Sequence, residues 1–396
     1  MDPIKNPFAP GAGNPPPELA GRDEVLDQAR IMLGRTLAGR HEQSQMLVGL
    51  RGVGKTVLLN RIRELAEEQG YKVAMIEATE SHSLPELLIP ALRRILFQLD
   101  AGANASDKVK RGLRVLRSFV GAIKLKIADL EVGLGIDPEK GAADSGDLDA
   151  DLAELFTALG EAAQDRKTAI AVIVDELQYL DEAEMGALIM AMHRAGQRSL
   201  PVVLVGAGLP QLVGLAGRAK SYAERLFAYP EIGPLAEADA REALQGPVRR
   251  QDVEYTAEAL DEITRITHRY PYFLQQWGYE SWNLAQATPV GIQVIKAATV
   301  SATRKLDASF FRVRFDRLTP REKDYLRALA EFGPGPHRSG DVADKLGLKV
   351  QSVAPLRGGL IRKGMIYSPA HGDTAFTVPM FDDFMRRIMP DWQPPK

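Results

Sequence analysis

Residues 49–56 spell Gly-Leu-Arg-Gly-Val-Gly-Lys-Thr, a complete G-x-x-x-x-G-K-T loop, and no other stretch constrains the fold as strongly. An apolar stretch, 46–48, precedes the loop and a helical pattern, 57–68, follows it. Between a strand and a helix, such glycines let backbone N–H groups surround phosphate groups, and the helix N-terminus favours the same negative charge. The alternative is a glycine-rich turn with a surface lysine. The flanking pattern favours a nucleotide site.

Each part of the loop has an expected role. Lys55 is expected to reach the β- and γ-phosphates of ATP, and the Thr56 hydroxyl to bind Mg²⁺. ATP and Mg²⁺ are therefore the predicted cofactors. The predicted nucleotide contacts of the loop are Gly49, Arg51, Gly52, Val53, Gly54, Lys55, Thr56 and Val57.

Composition limits the remaining possibilities. The 396 residues carry 50 Lys and Arg against 52 Asp and Glu, so any nucleic-acid surface must be local. The chain contains no cysteine, which excludes disulfides and thiolate chemistry. No apolar run approaches the length of a membrane span, and the proline-rich start does not resemble a signal peptide. We therefore expect a cytoplasmic protein without a membrane partner.

The pattern downstream of the loop alternates between strands and helices. Strands are expected at 45–48, 71–77, 169–174 and 202–205, with helices between them. The last two are nearly continuous apolar runs, which suit strands buried on both faces of a parallel sheet. This order predicts a doubly wound α/β domain with its ligand at the carboxyl ends of the strands.

An acidic pair ends the strand at 172–174. Asp175 is placed to hold Mg²⁺, and Glu176 to orient and deprotonate an attacking water. A strand that ends in a polar turn is the plain alternative. The pair favours an ATPase because it lies downstream of a complete phosphate loop.

The C-terminal part changes character twice. Residues 236–300 are helical in pattern. Between 310 and 390 three helices, a short β-pair and a fourth helix are expected, the order of a winged helix-turn-helix. The predicted segments are 1–17, a flexible Pro/Gly arm; 18–235, the ATPase core with an insertion at about 100–150; 236–305, a helical lid; and 306–396, the winged helix.

These motifs, in this order, resemble AAA+ ATPases of the origin-recognition and replication-initiator type. The resemblance implies that Gly21 and Arg22 lie near adenine, and that Arg225 reaches the γ-phosphate of a neighbouring subunit in a homo-oligomer. Arg218 is the reserve candidate for that arginine finger, and a surface arginine is the alternative. In the lid, Arg269 is the candidate second sensor. The sequence departs from the family at 206–208, Gly-Ala-Gly, where a polar sensor is expected, and this predicts slow hydrolysis.

Two further surfaces could bind partners. The insertion contains a basic amphipathic stretch at 106–124, which either packs on its own domain or binds an anionic surface or partner. Residues 310–396 carry 15 Lys and Arg against 10 Asp and Glu. The winged helix is therefore expected to bind double-stranded DNA, with docking of a partner protein or autoinhibition as the alternatives. The candidate DNA contacts are Gln351, Ser352, Arg357, Arg362, Lys363 and His371.

Overall fold

The computed structural model of the chain describes residues 1–11, 13–40, 42–100, 106–123 and 137–395. The alternating pattern at 124–136, which predicts a half-exposed strand or a hairpin, lies outside these residues. Among the helices that the structure describes, none is both long and apolar enough to cross a membrane.

The N-terminal half contains a five-stranded parallel sheet. The strands are β1 Ser44–Val48, β2 Lys72–Glu77, β3 Ile170–Asp175, β4 Val202–Gly208 and β5 Phe227–Ala228. Their order in the sheet is β2-β3-β4-β1-β5, so the crossovers place β3 and β4 between β2 and β1. All residues of β1, β3 and β4 are buried, as the continuous apolar runs predict. The predicted doubly wound α/β fold is confirmed.

Helices cover both faces of this sheet, and two apolar clusters form, one on each side. The helix after the phosphate loop begins at Lys55, so the loop delivers its lysine at the helix N-terminus. The helices of this half are Asp23–Leu37, Lys55–Glu68, Leu84–Asp100, Asp107–Ala122, Leu148–Asp165, Glu182–Gln197, Gln211–Ala219 and Ala223–Leu226.

The basic stretch of the insertion forms the helix Asp107–Ala122, which packs on its own domain. Its apolar side, including Leu113 and Phe119, is buried in the core. Two of its cations are paired with one carboxylate: Arg111 and Arg114 both contact Glu139, at 2.9 and 3.0 Å. This arrangement favours the packed helix over the anion-binding surface.

A helical lid follows the sheet. Its third helix begins at Pro271, a first-turn position whose N–H would have no partner within the helix, so proline is accepted there. The fourth helix runs into a π-helical turn, Asp307–Phe311, and then into the short helix Arg312–Asp316. The lid helices are Glu237–Arg249, Ala257–Ile266, Pro271–Leu284 and Ile292–Leu306.

The C-terminal module is a winged helix-turn-helix, as predicted. A small antiparallel sheet of β6 His337–Arg338, β7 Ile366–Tyr367 and β8 Asp373–Phe376, in the order β6-β8-β7, forms the wing. Pro355 does not end the third helix of the module, which continues to Arg362. The elements are Pro320–Ala330, β6 His337–Arg338, Ser339–Lys345, Val350–Arg362, β7 Ile366–Tyr367, β8 Asp373–Phe376 and Phe381–Ile388.

The lid and the winged helix share one apolar core. Tyr272 of the lid stacks on Phe310 of the π-helical turn, with ring centroids 4.5 Å apart. The next residue, Phe311, packs on Phe384 of the last helix at 5.2 Å. Because aromatic rings bury large areas, these contacts couple the position of the winged helix to that of the lid.

The prediction of a flexible N-terminal arm is wrong for residues 1–11. Phe8 is only 3% exposed and packs over Gly278 of the lid, where an added Cβ would lie 2.6 Å from its ring. Asn6 bonds to the Tyr279 carbonyl and to Asn283, both at 3.0 Å. The segment opens with a short 3-10 helix, Pro3–Lys5, and the buried ring of Phe8 together with the hydrogen bonds of Asn6 holds it on the lid.

Candidate functional site

A cavity of about 230 Å³ lies at the carboxyl ends of the strands, between the sheet and the lid. Its walls come from five parts of the chain: the N-terminal segment, the phosphate loop, the turn after β3, the lid and the segment from Phe310 to Arg314. The residues that line it include Arg22, Arg51, Lys55, Glu176, Tyr272 and Arg314.

Lys55 is buried beneath the loop. Its Nζ donates to the carbonyl oxygens of Gly49 and Leu50, both at 2.9 Å. Burial lowers the pKa of Lys55 to about 8, although the carboxylates of Glu176 and Asp175 act in the opposite direction. The ammonium therefore lacks a strong counter-charge, and an anion in the loop would supply one.

Thr56 and Asp175 are in direct contact. The threonine hydroxyl donates to Asp175 Oδ2 at 2.6 Å, and burial raises the pKa of the Asp175 carboxyl. A hydroxyl and a carboxylate are hard oxygen ligands of the type that Mg²⁺ binds, and a cation beside Asp175 would offset its burial. This pair therefore fits a magnesium ion.

Glu176 lies in the left-handed region, with φ of 55°, at the turn after β3. Its carboxylate accepts from Arg51 at 3.4 Å and from the amide of Gln178. The Arg51 guanidinium also donates to the Tyr179 hydroxyl at 2.9 Å. Glu176 is thus held by two donors at the edge of the cavity.

The Gln178 amide lies beside the end of β4, where a polar sensor residue was expected and the chain has Gly-Ala-Gly. Its Oε1 accepts from the Leu209 N–H at 3.0 Å, directly after β4. A Cβ on Gly208 would lie 2.9 Å from the same oxygen, so the glycine makes room for the amide. The polar group beside Glu176 therefore comes from the turn after β3 rather than from the end of β4.

Arg22 lines the same cavity. Its guanidinium donates to the carbonyls of Val53 and Gly233, at 3.2 and 2.6 Å, and thereby links the helix before β1 to the phosphate loop. Gly21 faces Asp239, whose carboxylate would be 2.5 Å from an added Cβ. Proximity of this pair to adenine remains a prediction.

Arg269 does not reach this cavity, which corrects the prediction of a sensor there. Its side chain lines a separate surface depression with Glu237, Asp261 and His268. The reason is the loop before the lid helix, where His268 and Arg269 both have positive φ, 48° and 60°. The arginine from this half of the chain that lines the cavity is Arg314.

Arg225 lies near the amino-terminal ends of the strands, opposite to the phosphate loop. It precedes Phe227, which pairs with Ser44 at the start of β1, whereas the phosphate loop follows the end of β1. Its side chain is exposed and so accessible to a neighbouring subunit. Arg218 is also exposed and contacts Glu182 at 3.5 Å. The finger assignment remains a prediction.

The phosphate loop contacts both C-terminal modules through its backbone. The N–H of Arg51 donates to the Thr377 carbonyl of the winged helix at 3.1 Å, and the N–H of Tyr272 in the lid donates to the Gly52 carbonyl at 3.2 Å. A Cβ on Gly364, at the base of the wing, would lie 2.9 Å from the Arg51 guanidinium. The loop is therefore clamped between the lid and the winged helix.

Two predicted DNA contacts are engaged inside the winged helix, which corrects their assignment. Arg357 donates to the Thr374 hydroxyl, the Ser368 hydroxyl and the Asp373 carbonyl, at 2.7 to 2.8 Å. Lys363 forms an ion pair with the buried Glu322 at 2.7 Å. Both side chains brace the module. The other four, Gln351, Ser352, Arg362 and His371, are exposed.

Sequence reasoning missed several residues of the cavity. Tyr272 and Arg314 belong to segments without a phosphate motif, so no local pattern marks them. The signal for Gln178 was present, since it follows the acidic pair by two positions, but its role depends on the glycines of β4. The N-terminal segment, which packs Phe8 on the lid, also lines the cavity through residues such as Asn14, and no motif marks it.

Comparisons with known families agree with this site. Residues 18–205 match the family described as AAA ATPase domain, and residues 308–385 match a domain of unknown function, DUF8462. The chain therefore contains an AAA ATPase domain, as the loop and the acidic pair predict.

Similar proteins span the whole chain. An uncharacterised HTH-type transcriptional regulator of Methanocaldococcus jannaschii is 23% identical over 388 residues, 94% of this chain and 89% of that protein. A Walker-type ATPase of Pyrococcus abyssi has the same fold, with a TM-score of 0.58 and 18% identity over 92% of this chain and 95% of its own. The Orc1 protein of Aeropyrum pernix, solved in complex with DNA, aligns with a TM-score of 0.48 and 15% identity over 97% of this chain and 96% of its own.

Proposed function

We propose that this protein is an ATP-dependent switch, in which the state of the nucleotide sets how the winged helix is held and thereby controls its binding to double-stranded DNA. The observation that carries this proposal is the position of Arg51. Its N–H bonds to the winged helix while its guanidinium bonds to Glu176, so one residue of the phosphate loop touches both.

ATP hydrolysis is the activity proposed for the cavity. Lys55 binds the β- and γ-phosphates, Thr56 and Asp175 hold Mg²⁺, and Glu176 accepts a proton from the attacking water. The metal, when bound, neutralises charge that develops on the phosphates. Gln178 and Arg51 support this assignment because their hydrogen bonds fix the Glu176 carboxylate. Arg51 also competes with the attacking water for that carboxylate. Slow turnover follows, since the Arg51 contact must loosen before Glu176 can act as a base.

The mutational test separates binding from chemistry. Lys55→Ala is expected to abolish ATP binding, and Glu176→Gln to retain ATP and stop turnover. Wild-type turnover in Glu176→Gln would remove the role given to that residue. Absence of any heat on titration of the wild-type protein with ATP or ADP would remove the nucleotide site itself.

DNA is the proposed ligand of the winged helix. The helix Val350–Arg362 presents Gln351, Ser352 and Arg362 to solvent, and the wing presents His371. A relative that bears the name of a transcriptional regulator is consistent with such a surface. Contacts with phosphates would supply most of the affinity and make it dependent on salt.

Duplex binding, measured by fluorescence anisotropy across a salt series, tests the coupling. Affinity is expected to differ by about fivefold or more between the ATP and ADP states, and this difference to vanish in Lys55→Ala. If no duplex binds at low salt, the ligand of the winged helix is not DNA.

A protein partner is the alternative ligand, and two exposed apolar side chains favour it. Leu348 and Val350 are 42% and 47% exposed at the start of the helix that would enter the major groove. Such side chains suit a protein interface. This alternative would be favoured if the protein binds no duplex, or if it binds unrelated duplexes with equal affinity that does not depend on salt.

Oligomerisation is proposed through Arg225. Its exposed position at the edge of the sheet away from the phosphate loop suits insertion into the site of a neighbouring subunit. Arginine fingers contribute about 10³–10⁵ to the rate of such reactions. Mixing Arg225→Ala with Lys55→Ala subunits should restore some hydrolysis, and no recovery at any ratio would indicate a switch that works as a monomer.

A further inference from the structure

One side-chain amide of the lid faces the nucleotide cavity with its donor unpaired. Gln275 lines the cavity from the lid helix Pro271–Leu284 and is only 8% exposed. Its Oε1 accepts from the N–H of Ala9 in the N-terminal segment at 3.3 Å. Among the residues that the structure describes, none offers an acceptor to its Nε2. A buried donor that is left unpaired costs free energy, so a ligand with an acceptor at this point would be bound more tightly.

The N-terminal segment fixes the orientation of this carboxamide. A backbone N–H can only donate, so the contact with Ala9 keeps the Gln275 oxygen toward the segment and leaves the NH₂ group for the cavity. The oxygen retains a second lone pair. Phe8, the residue before Ala9, is buried over Gly278 of the same lid helix, so the segment that holds the amide is itself anchored. The amide can therefore offer a ligand one donor and one acceptor in a fixed order.

The position of Gln275 along the lid helix indicates which part of a nucleotide it meets. Tyr272, in the first turn of that helix, bonds through its N–H to the Gly52 carbonyl of the phosphate loop. Gln275 lies about 4.5 Å further along the helix axis, at 1.5 Å per residue. Since the phosphates are assigned to the loop, the group nearer to Gln275 is the base. The cavity also has an apolar lining, which includes Leu19 and Leu235 and suits a flat aromatic ring.

We propose that the Gln275 carboxamide binds the adenine base and makes this cavity select adenine over guanine nucleotides, an inference that rests on the nucleotide site proposed above. Adenine presents an exocyclic amino group beside a ring nitrogen that accepts, a pattern that the amide of glutamine pairs in a bidentate manner. Guanine presents an exocyclic oxygen in place of the amino group, and this oxygen would face the carboxamide oxygen. Turning the amide over to suit guanine would bring its NH₂ group against the Ala9 N–H, so the N-terminal segment enforces the choice.

Calorimetric titration of the full-length chain with ATP and with GTP tests this selection. The wild-type protein should bind ATP about 10- to 100-fold more tightly than GTP, as expected for one bidentate contact with a base. Gln275→Leu should weaken ATP binding and reduce the preference to less than about threefold. Gln293→Leu, at an exposed glutamine of the next lid helix, should keep the wild-type preference. Equal binding of ATP and GTP by the wild-type protein, or an unchanged preference in Gln275→Leu, would overturn the proposal.

Base analogues test the same contact in the unmodified protein. In 1-deaza-ATP and 7-deaza-ATP, a C–H group replaces one of the two ring nitrogens that flank the amino group, so one acceptor is lost. The wild-type protein should bind one of these analogues about threefold to tenfold more weakly than ATP, the effect of one neutral hydrogen bond. Gln275→Leu should bind ATP and that analogue equally. Wild-type affinity that is the same for ATP and both analogues, or a loss that persists in Gln275→Leu, would overturn the proposal.

Failure of the nucleotide site itself gives a different result. If the wild-type chain binds neither ATP nor GTP, the proposed function fails, and that outcome is read before any variant is compared. If Gln275→Leu does not fold, as shown by loss of its cooperative thermal transition, the wild-type affinities for ATP, GTP and the two analogues still decide whether the base is selected through this contact.

Discussion

The N–H of Arg51 in the phosphate loop donates to the carbonyl of Thr377, which directly follows the last wing strand, across 3.1 Å. Residues separated by more than 300 positions in the chain are therefore joined by main-chain atoms alone. Because the guanidinium of the same arginine bonds to Glu176, a shift of the wing would also displace this contact with the acidic pair.

Gly364→Ala is expected to separate the winged helix from the phosphate loop. The new Cβ would lie 2.9 Å from the Arg51 guanidinium, at a backbone φ of 62°. Hydrogen exchange should become faster at the Arg51 and Thr377 amides. Gly372→Ala is the matched control, because its φ is 83° but no atom lies within 4 Å of the added Cβ. Equal exchange in the two variants would mean that backbone strain alone, and not contact with Arg51, loosens the module.

ATP affinity is expected to fall as the pH rises above about 8. The pKa of Lys55 in the free protein is about 8, and a bound phosphate would raise it. Below that pH the lysine is charged in both states, and affinity is constant. Above it, binding requires uptake of a proton, so affinity falls by up to about tenfold per pH unit until the pKa of the bound state is reached.

Calorimetry in two buffers of different ionisation enthalpy measures this proton uptake. Lys55→Arg, whose guanidinium stays charged, should bind with little dependence on pH over the same range. A flat profile for the wild-type protein between about pH 7 and about pH 9.5 would contradict the assignment of Lys55 as the group that gains charge on binding.

Phe8→Ala is expected to release the N-terminal segment and to speed the loss of nucleotide. Loss of a buried phenylalanine costs about 3–5 kcal/mol in a core, more than a short segment without regular structure can replace. Ala9 and Asn14, which line the cavity, would then move away. Stopped-flow dissociation of a fluorescent ATP analogue should be faster than in wild type. Ile4→Ala, at a residue of the same segment that is 94% exposed, should leave the rate unchanged.

Arg357→Ala and Arg362→Ala should separate stability from DNA binding. Arg357 makes three hydrogen bonds within the wing, so its loss should lower the free energy of unfolding by about 1–3 kcal/mol and lower the melting temperature. Arg362 is exposed, so its loss should leave the melting temperature unchanged. Its loss should also weaken duplex binding and reduce the salt slope by about 1. Unchanged stability in Arg357→Ala would contradict the bracing role.

Local patterns were sufficient where a function depends on backbone geometry near one point in the chain. The alternating elements and continuous apolar runs predicted the parallel sheet. The loop and the acidic pair predicted that Thr56 and Asp175 serve one magnesium ion, and the two side chains are in contact because β1 and β3 end at the same side of the sheet. The winged helix followed from helix length and turn residues in the same way.

Other parts of the site were decided only by the tertiary structure. Whether Arg269 or Arg314 faces the cavity depends on positive φ angles before the lid helix and on aromatic packing of Phe310 and Tyr272, which no local pattern encodes. The docking of Phe8 and the engagement of Arg357 depend in the same way on partners far along the chain. The sequence by itself determined the elements and the loop, since these arise from short-range hydrogen bonding. Which charged side chains meet a ligand was determined by long-range burial, because desolvation and the choice of ion-pair partners exist only in the folded chain.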